Sequence, residues 1–209
     1  MTLSAALLSV LALLPNVAAP VSPETPFELV DNRVIIPVAI DGTTGFRMVF
    51  DTGSTGILVT PEAARRLHLA VKGAGSITGA GAGSAAISST HLAAVTIAGV
   101  ALGATPAIVA DLGPIRRAIG FSGLDGIVGS DVLKRYAIEV NADRQTFALY
   151  SGAYAAPPQA QRVPYSLRSG FITLPAQIDS IAGSVLLDTG DRSSLTLFEP
   201  FARDHGFYS

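Results

Sequence analysis

The tripeptide Asp-Thr-Gly stands twice in this 209-residue chain, at Asp51–Gly53 and at Asp188–Gly190. Each copy closes an apolar run, Val49-Phe50 in the first case and Leu186-Leu187 in the second. A hydrophobic strand that ends on a glycine turn presents its last side chain at the end of a sheet. Two such ends brought together set two carboxyls side by side. Both cannot ionise cheaply at that separation, so one keeps a proton and the other does not. A single copy is ordinarily just a turn, with Asp capping and Gly bending the chain. Duplication inside matching strands is what turns the pattern into a site.

The surroundings do match. Arg33–Ile40 is a β-branched run followed by the turn Asp41–Gly45, and Gly45–Phe50 leads into Asp51. Phe171–Ile178, the turn Asp179–Gly183 and the approach to Asp188 repeat that order. Beyond the tripeptides, Ser194–Leu197 answers Ile57–Val59, and Pro200–His205 answers Pro61–His68. A period this long, 188 − 51 = 137 residues, means duplicated lobes and not a solenoid. The pattern predicts a first unit over 27–150, a linker over 151–161 and a partial second unit over 162–209. The second unit stops 209 − 188 = 21 residues after its aspartate, which leaves the expectation of a fragment, or of completion by another chain.

Most of the first unit reads as strands. Ala93–Ile97, Ala107–Ala110 and Gly126–Gly129 are short apolar runs, and Ala137–Val140 with Thr146–Tyr150 flanks a hairpin turn. Thr60, Pro61 and Glu62 open a short helix through about His68, and Ser130-Asp131 caps another over Val132–Tyr136. Gly73–Ser84 is a low-complexity Gly/Ala/Ser stretch, expected to be flexible.

Composition narrows the chemistry. With 49% apolar and 14% charged residues the chain is globular and not disordered. A formal net charge of −2 and only isolated cation pairs argue against nucleic acid. The absence of cysteine removes disulfides, thiolate metal sites and a cysteine nucleophile. His68, His91 and His205 have no metal-ligand spacing and read as surface residues; Phe46, Met48 and Phe50 read as core, and Asp125 and Asp131 as turn and cap residues. No metal and no cofactor are expected. No serine sits in a Gly-x-Ser-x-Gly elbow, and the glycine-rich stretch is not a phosphate loop. Leu3–Leu14 is too short to span a bilayer but suits a signal peptide, with Val17-Ala18-Ala19 before cleavage after Ala19. The n-region lacks Lys and Arg. The expectation is export to the periplasm or beyond, with 1–19 removed and no stable membrane anchor.

Four features in order resemble the retropepsin-like aspartyl proteases, particularly the exported bacterial members with two related lobes. They are Val49–Ser54, the glycine-rich segment some 25 residues later, Leu124–Leu133 and the terminal hairpin. The resemblance implies an all-β acid-protease fold (retropepsin/pepsin-like), with β-barrel lobes and short helices: one complete lobe plus the start of a second. It implies catalytic roles for Asp51 and Asp188. Thr52, Gly53, Ser54, Thr189 and Gly190 would shape the active-site loops, the Thr52 hydroxyl bonding to the facing lobe, supported by Ile127, Val128 and Gly129. Ile77, Thr78, Gly79, Ala80 and Gly81 would belong to a flap over a peptide substrate. The family usually has Ser, Thr or Ala after the glycine, as at Ser54, whereas the second copy has Asp191, expected to face solvent.

The chemistry expected of such a pair is hydrolysis of peptide bonds by an activated water, without a covalent intermediate. Two alternatives stand beside it. One is a homodimer that pairs Asp51 from each of two chains; the other is a β module that binds peptides without turning them over.

Overall fold

The computed structural model describes residues 21–78, 84–152, 154 and 156–207. The expected signal segment and the expected flap residues Gly79, Ala80 and Gly81 lie outside the described residues. Five strands open the chain: β1 (Thr25–Pro26), β2 (Glu28–Val30), β3 (Arg33–Ile40), β4 (Thr43–Asp51) and β5 (Ile57–Val59). They are followed by α1 (Pro61–Arg66), β6 (Lys72–Thr78), β7 (Ser84–Ile97), β8 (Val100–Ala110), α2 (Gly113–Ile119) and β9 (Gly126–Gly129). After a 3-10 turn at Ser130–Lys134 come β10 (Ala137–Asn141) and β11 (Thr146–Tyr150). The second copy supplies β12 (Ser166–Arg168), β13 (Phe171–Ile178), β14 (Ile181–Leu186) and α3 (Glu199–Asp204).

Successive side chains of β3 and β4 point to opposite faces, and apolar clusters cover both. Val34, Ile36, Val38 and Ile40 of β3, with Phe46, Met48 and Phe50 of β4, enter one apolar cluster. Ile35 and Val49 point the other way, into a second cluster with Leu58, Leu112, Leu124 and Ile127. Phe50 meets Phe147 edge to face at 5.3 Å between ring centres, tying the terminal hairpin to the first cluster. The sheet runs β2-β3-β4-β9-β5-β8-β7-β6, and β7 also pairs with β3. The six strands β3, β4, β9, β5, β8 and β7 therefore close into a barrel with no open edge of their own. The architecture is all-β with short helices, as expected.

Thread β9 is the unusual member. It runs parallel to β4 and antiparallel to β5, so it is inserted between them. Glycine makes the insertion possible: a Cβ on Gly129 would lie 2.7 Å from the carbonyl oxygens of both Ser54 and Gly56. Asp125, expected only to form a turn, anchors the entry to this strand. Its carboxylate accepts the Arg47 amide at 2.9 Å and lies 3.7 Å from the Arg66 guanidinium.

Local expectations hold at α1, where the Thr60 hydroxyl accepts the Ala63 amide at 3.2 Å and Pro61 takes the first position. The helix ends at Arg66, short of the expected His68, which adopts a left-handed φ of 53°. Four differences stand out. Gly73–Thr78 is not a loose loop: as part of β6 it pairs with β7, because small side chains do not prevent a ladder when a long partner strand supplies it. β7 and β8 extend well beyond the expected Ala93–Ile97 and Ala107–Ala110. The helical turn after β9 starts and stops two residues earlier than expected and is 3-10, without a side-chain cap. Helix α2 was not anticipated, although Pro114 at its start and Gly120 in a left-handed C-terminal cap are visible signals.

The second copy repeats β2-β3-β4 as a three-stranded sheet, β12-β13-β14. Asp41 and Asp179 open the two equivalent turns with left-handed φ of 49° and 52°. Ser194–Leu197 does not form a strand as Ile57–Val59 does. β5 is held between β9 and β8, and among the described residues no equivalent pair flanks 194–197. Tyr165, Leu167, Leu195 and Phe198 are half or more exposed. A hollow of about 350 Å³ lies under this sheet, lined by Leu174, Ile181, Leu195 and Phe201 among others. The segment 151–161 is less loose at its start than a plain linker, since Tyr154 donates to Glu139 at 3.1 Å.

Candidate active site

Both Asp-Thr-Gly copies meet at one place. β4 delivers Asp51 at its last residue, and Asp188 follows β14 by two residues. Reciprocal threonine contacts hold the two loops. The Thr52 hydroxyl donates to the Leu187 carbonyl at 2.6 Å and accepts the Thr189 amide at 3.0 Å. The Thr189 hydroxyl donates to the Phe50 carbonyl at 2.7 Å and accepts the Thr52 amide at 3.0 Å. Each hydroxyl thus uses both its donor and an acceptor pair, and Thr52 is buried.

The glycines let the carboxyls approach. A Cβ on Gly190 would fall 2.5 Å from Asp51 Cγ, and a Cβ on Gly53 would collide with the Asp188 carboxyl. Each acid therefore occupies the space left by the glycine of the opposite loop. Within its own loop, Asp51 Oδ1 accepts the Gly53 amide at 2.8 Å. Asp188 Oδ1 accepts two amides, from Gly190 at 2.8 Å and Asp191 at 3.2 Å. Ser54 and Asp191 hold equivalent positions, their amides turned back to the carbonyls of Asp51 and Asp188 at 3.2 and 3.4 Å. The Asp191 carboxylate turns away from the pair. It accepts from the Ser193 amide and hydroxyl at 2.9 Å and from the Thr196 hydroxyl at 2.6 Å, which holds it below the usual carboxylate range.

Ile127, Val128 and Gly129 are buried behind the first loop in β9, opposite Val49, Phe50 and Asp51. The Gly129 amide donates to the Gly56 carbonyl at 2.7 Å and the Ser130 amide to Ser54 at 2.8 Å. Ile77 and Thr78 end β6 opposite Ala85 and Ser84, where β6 and β7 form a hairpin. His68, His91 and His205 are exposed, away from any role in this pair. One residue escaped the sequence reading. Arg33, at the start of β3, donates through Nε to the Gly190 carbonyl at 2.6 Å and pairs with Asp31 at 2.6 Å.

Asp51 is pushed up from 3.8 to about 7. Burial is the main cause, followed by the charge of Asp188 and a hydrogen bond to its carboxyl; the Gly53 amide and Arg33 oppose it. Asp51 thus keeps its proton up to near neutrality. The folded state therefore binds a proton that the unfolded chain releases between pH 3.8 and about 7. This contribution to stability is full below pH 3.8 and disappears as the pH rises through about 7. Urea midpoints are expected to fall over that window, and Asp51→Asn should flatten the fall; an equal slope in the variant would refute the assignment.

The threonine net has its own expected result. Thr52→Ala leaves the Thr189 amide and the Leu187 carbonyl without partners, at a cost of about 1–3 kcal/mol. Thr52→Ser should recover most of it. Urea unfolding of the two variants checks this, and an alanine variant as stable as the parent would dismiss the net as incidental.

Residues 36–132 match the sequence model of the family described as Aspartyl protease. That stretch runs from β3 into the 3-10 turn after β9 and contains the first Asp-Thr-Gly. Over it the chain is aspartyl-protease-like in sequence. No curated protein matches the chain significantly. Among solved structures, the chain is similar to a retropepsin-like aspartic protease from Rickettsia conorii, with 17% identity and a TM-score of 0.45, covering 66% of this chain and 97% of that one.

Proposed function

We propose that this protein is an aspartic-type endopeptidase whose acid–base pair is Asp51 and Asp188 of the same chain. The observation that carries the proposal is the reciprocal Thr52–Thr189 net, which supports a built juxtaposition of the two carboxyls over a chance approach. A water held between the carboxyls gives its proton to the ionised member as it attacks the peptide carbonyl. The protonated member donates to the oxygen on which charge develops. Two amides on Asp188 against one on Asp51 favour Asp188 as the ionised partner and the buried Asp51 as the proton holder. Neither side chain bonds covalently to substrate.

The substrate is an extended peptide or protein segment, covered by a flap to which Ile77 and Thr78 at the end of β6 belong, with Gly79, Ala80 and Gly81 next to them in sequence. The placement of Asp188 beside Asp51 favours the single-chain pair over a homodimer in which a second Asp51 fills the same position. The units 27–150 and 162–209 are the corresponding lobes. We also place the protein outside the cytoplasm, on the strength of the Leu3–Leu14 run and the small residues before Pro20. A mature N-terminus still at Met1 would refute that part.

The test is proteolysis of an unfolded protein substrate from acidic pH to above neutrality, with and without an inhibitor carrying a tetrahedral diol. The expected result is a bell-shaped profile favouring the acidic side, abolished by the inhibitor. Full activity at high pH with none at low pH, or cleavage indifferent to the diol, would overturn the proposal.

A further inference from the structure

The two halves of the pair share the same turn, with the Ser54 and Asp191 amides returning to the carbonyls of Asp51 and Asp188, but they differ in what the strand register brings next to them. In the β3–β4 hairpin Ile35 faces Val49, and the same register carried to the strand ends sets Arg33 beside Asp51. In the β13–β14 hairpin Thr173 faces Leu186, and the same extension sets Phe171 beside Asp188. The register thus pairs a cation with one acid and a phenylalanine with the other.

The cation is held in place. Arg33 is largely buried, its side chain 15% exposed. Its Nε–H donates to the Gly190 carbonyl in the opposite loop, and a terminal N–H donates to Asp31. Gly190 is the residue against which the Asp51 carboxyl rests. One guanidinium thus touches the second loop at the point where that loop bounds the first acid. A lysine, with a single ammonium, cannot reproduce a two-directional fork of this kind.

We propose that Arg33 is a positioning residue of the pair, fixing the 188–191 loop through Gly190 and setting a positive charge near Asp51 that tempers how tightly this acid holds its proton. This rests on the reading of Asp51 and Asp188 as an acid–base pair. A symmetric pair has no preferred proton holder; a cation next to one member sets how far that member's hold on the proton extends toward neutral pH. The charged groups that act on Asp51 are Asp188 from the second loop and Arg33 from β3. Asp31 faces Arg33 in turn, Arg192 lies 3.6 Å from Asp31, and Asp191 is engaged with Ser193 and Thr196. The Arg33 charge acts against burial and against Asp188, so its removal tightens the Asp51 hold on the proton.

The experiment follows Asp51 by carboxyl carbon NMR across a pH titration of the full chain, alongside the pH profile of kcat/KM. Arg33→Gln and Arg33→Met should move the Asp51 midpoint and the upper limb of the profile together toward higher pH, by about one unit. Arg33→Lys should restore both midpoints while lowering kcat, because the charge returns without the fork. Asp31→Asn unburdens Arg33 and should move the midpoint down, which keeps the inference open to test if the neutral variants fold poorly. Lower activity in Arg33→Met with both midpoints unmoved would reduce Arg33 to a structural tie and overturn the proposal; so would an Asp31→Asn midpoint equal to the parent's. If the parent chain shows no turnover, the peptidase reading fails, while the NMR midpoints still decide the role of Arg33.

Discussion

Asp51→Asn and Asp188→Asn, made separately, are each expected to reduce peptide cleavage by at least about 10³-fold, since each removes one partner of the proton exchange. The amide is nearly isosteric with the carboxyl, and its oxygen still accepts from Gly53 in one loop or from Gly190 and Asp191 in the other. The fold should survive, and Asp51→Asn puts a neutral amide where Asp51 holds its proton up to near neutrality. Loss of cleavage with intact unfolding behaviour is therefore the informative outcome. Loss with Asp51→Asn alone would favour a homodimer that pairs two copies of Asp51 and leaves Asp188 idle. Binding of peptide without cleavage in the parent chain would favour a β module that keeps the geometry and lacks turnover. Steady-state kinetics on the three proteins, with circular dichroism as a folding control, separates these cases.

Gly190→Ala is expected to be nearly as damaging to activity and far less so to stability. Neither Gly190 nor Gly53 has a positive φ, so alanine is compatible with the backbone of both loops. The obstacle is the opposite acid: the new methyl would sit 2.5 Å from Asp51 Cγ. Relief requires the Asp51 carboxyl to swing aside by an ångström or so, and misplacement of that size costs about 10²-fold in rate. Gly53→Ala should act on Asp188 in the same way. The checks are kcat/KM, diol-inhibitor affinity and urea midpoint. Activity within twofold of the parent in both variants would mean that the glycines do not set the spacing of the pair.

Much of the site could be read from residue order, because its elements are local. Asp-Thr-Gly after an apolar run, Pro61 behind a capping Thr60, and the glycine-bounded Ile127-Val128 each depend on a few neighbours. The strand β6 could not be read this way. Lys72–Thr78 has weak strand propensity, and its ladder comes from β7, whose own length exceeds its apolar run. Asp125 looked like a turn residue because its partners, Arg47 and Arg66, belong to other elements.

Arg33 shows the limit most sharply. Counting back from the Asp41-Gly42 turn, with Ile40 facing Thr43, an unbroken ladder would set Asn32 opposite Asp51. A register shift between Val38 and Ile40 moves the partner by one residue to Arg33. The second hairpin has no such shift, and Phe171 falls where the pattern says it should. A single bulge decides whether an amide or a guanidinium stands next to the acid, and bulges follow from packing across the sheet.

Residue order by itself determined that this chain has two equivalent strand-to-turn units ending in acids, and that its strands would be all-β in class, because the period-2 apolar pattern and glycine turns are properties of short segments. Only the tertiary structure decided that β9 threads between β4 and β5, that Thr52 and Thr189 exchange hydrogen bonds, and that Arg33 reaches across to the Gly190 carbonyl. Those are contacts between residues up to 157 positions apart. Their geometry depends on strand register and barrel closure, which are set by the packing of the whole sheet.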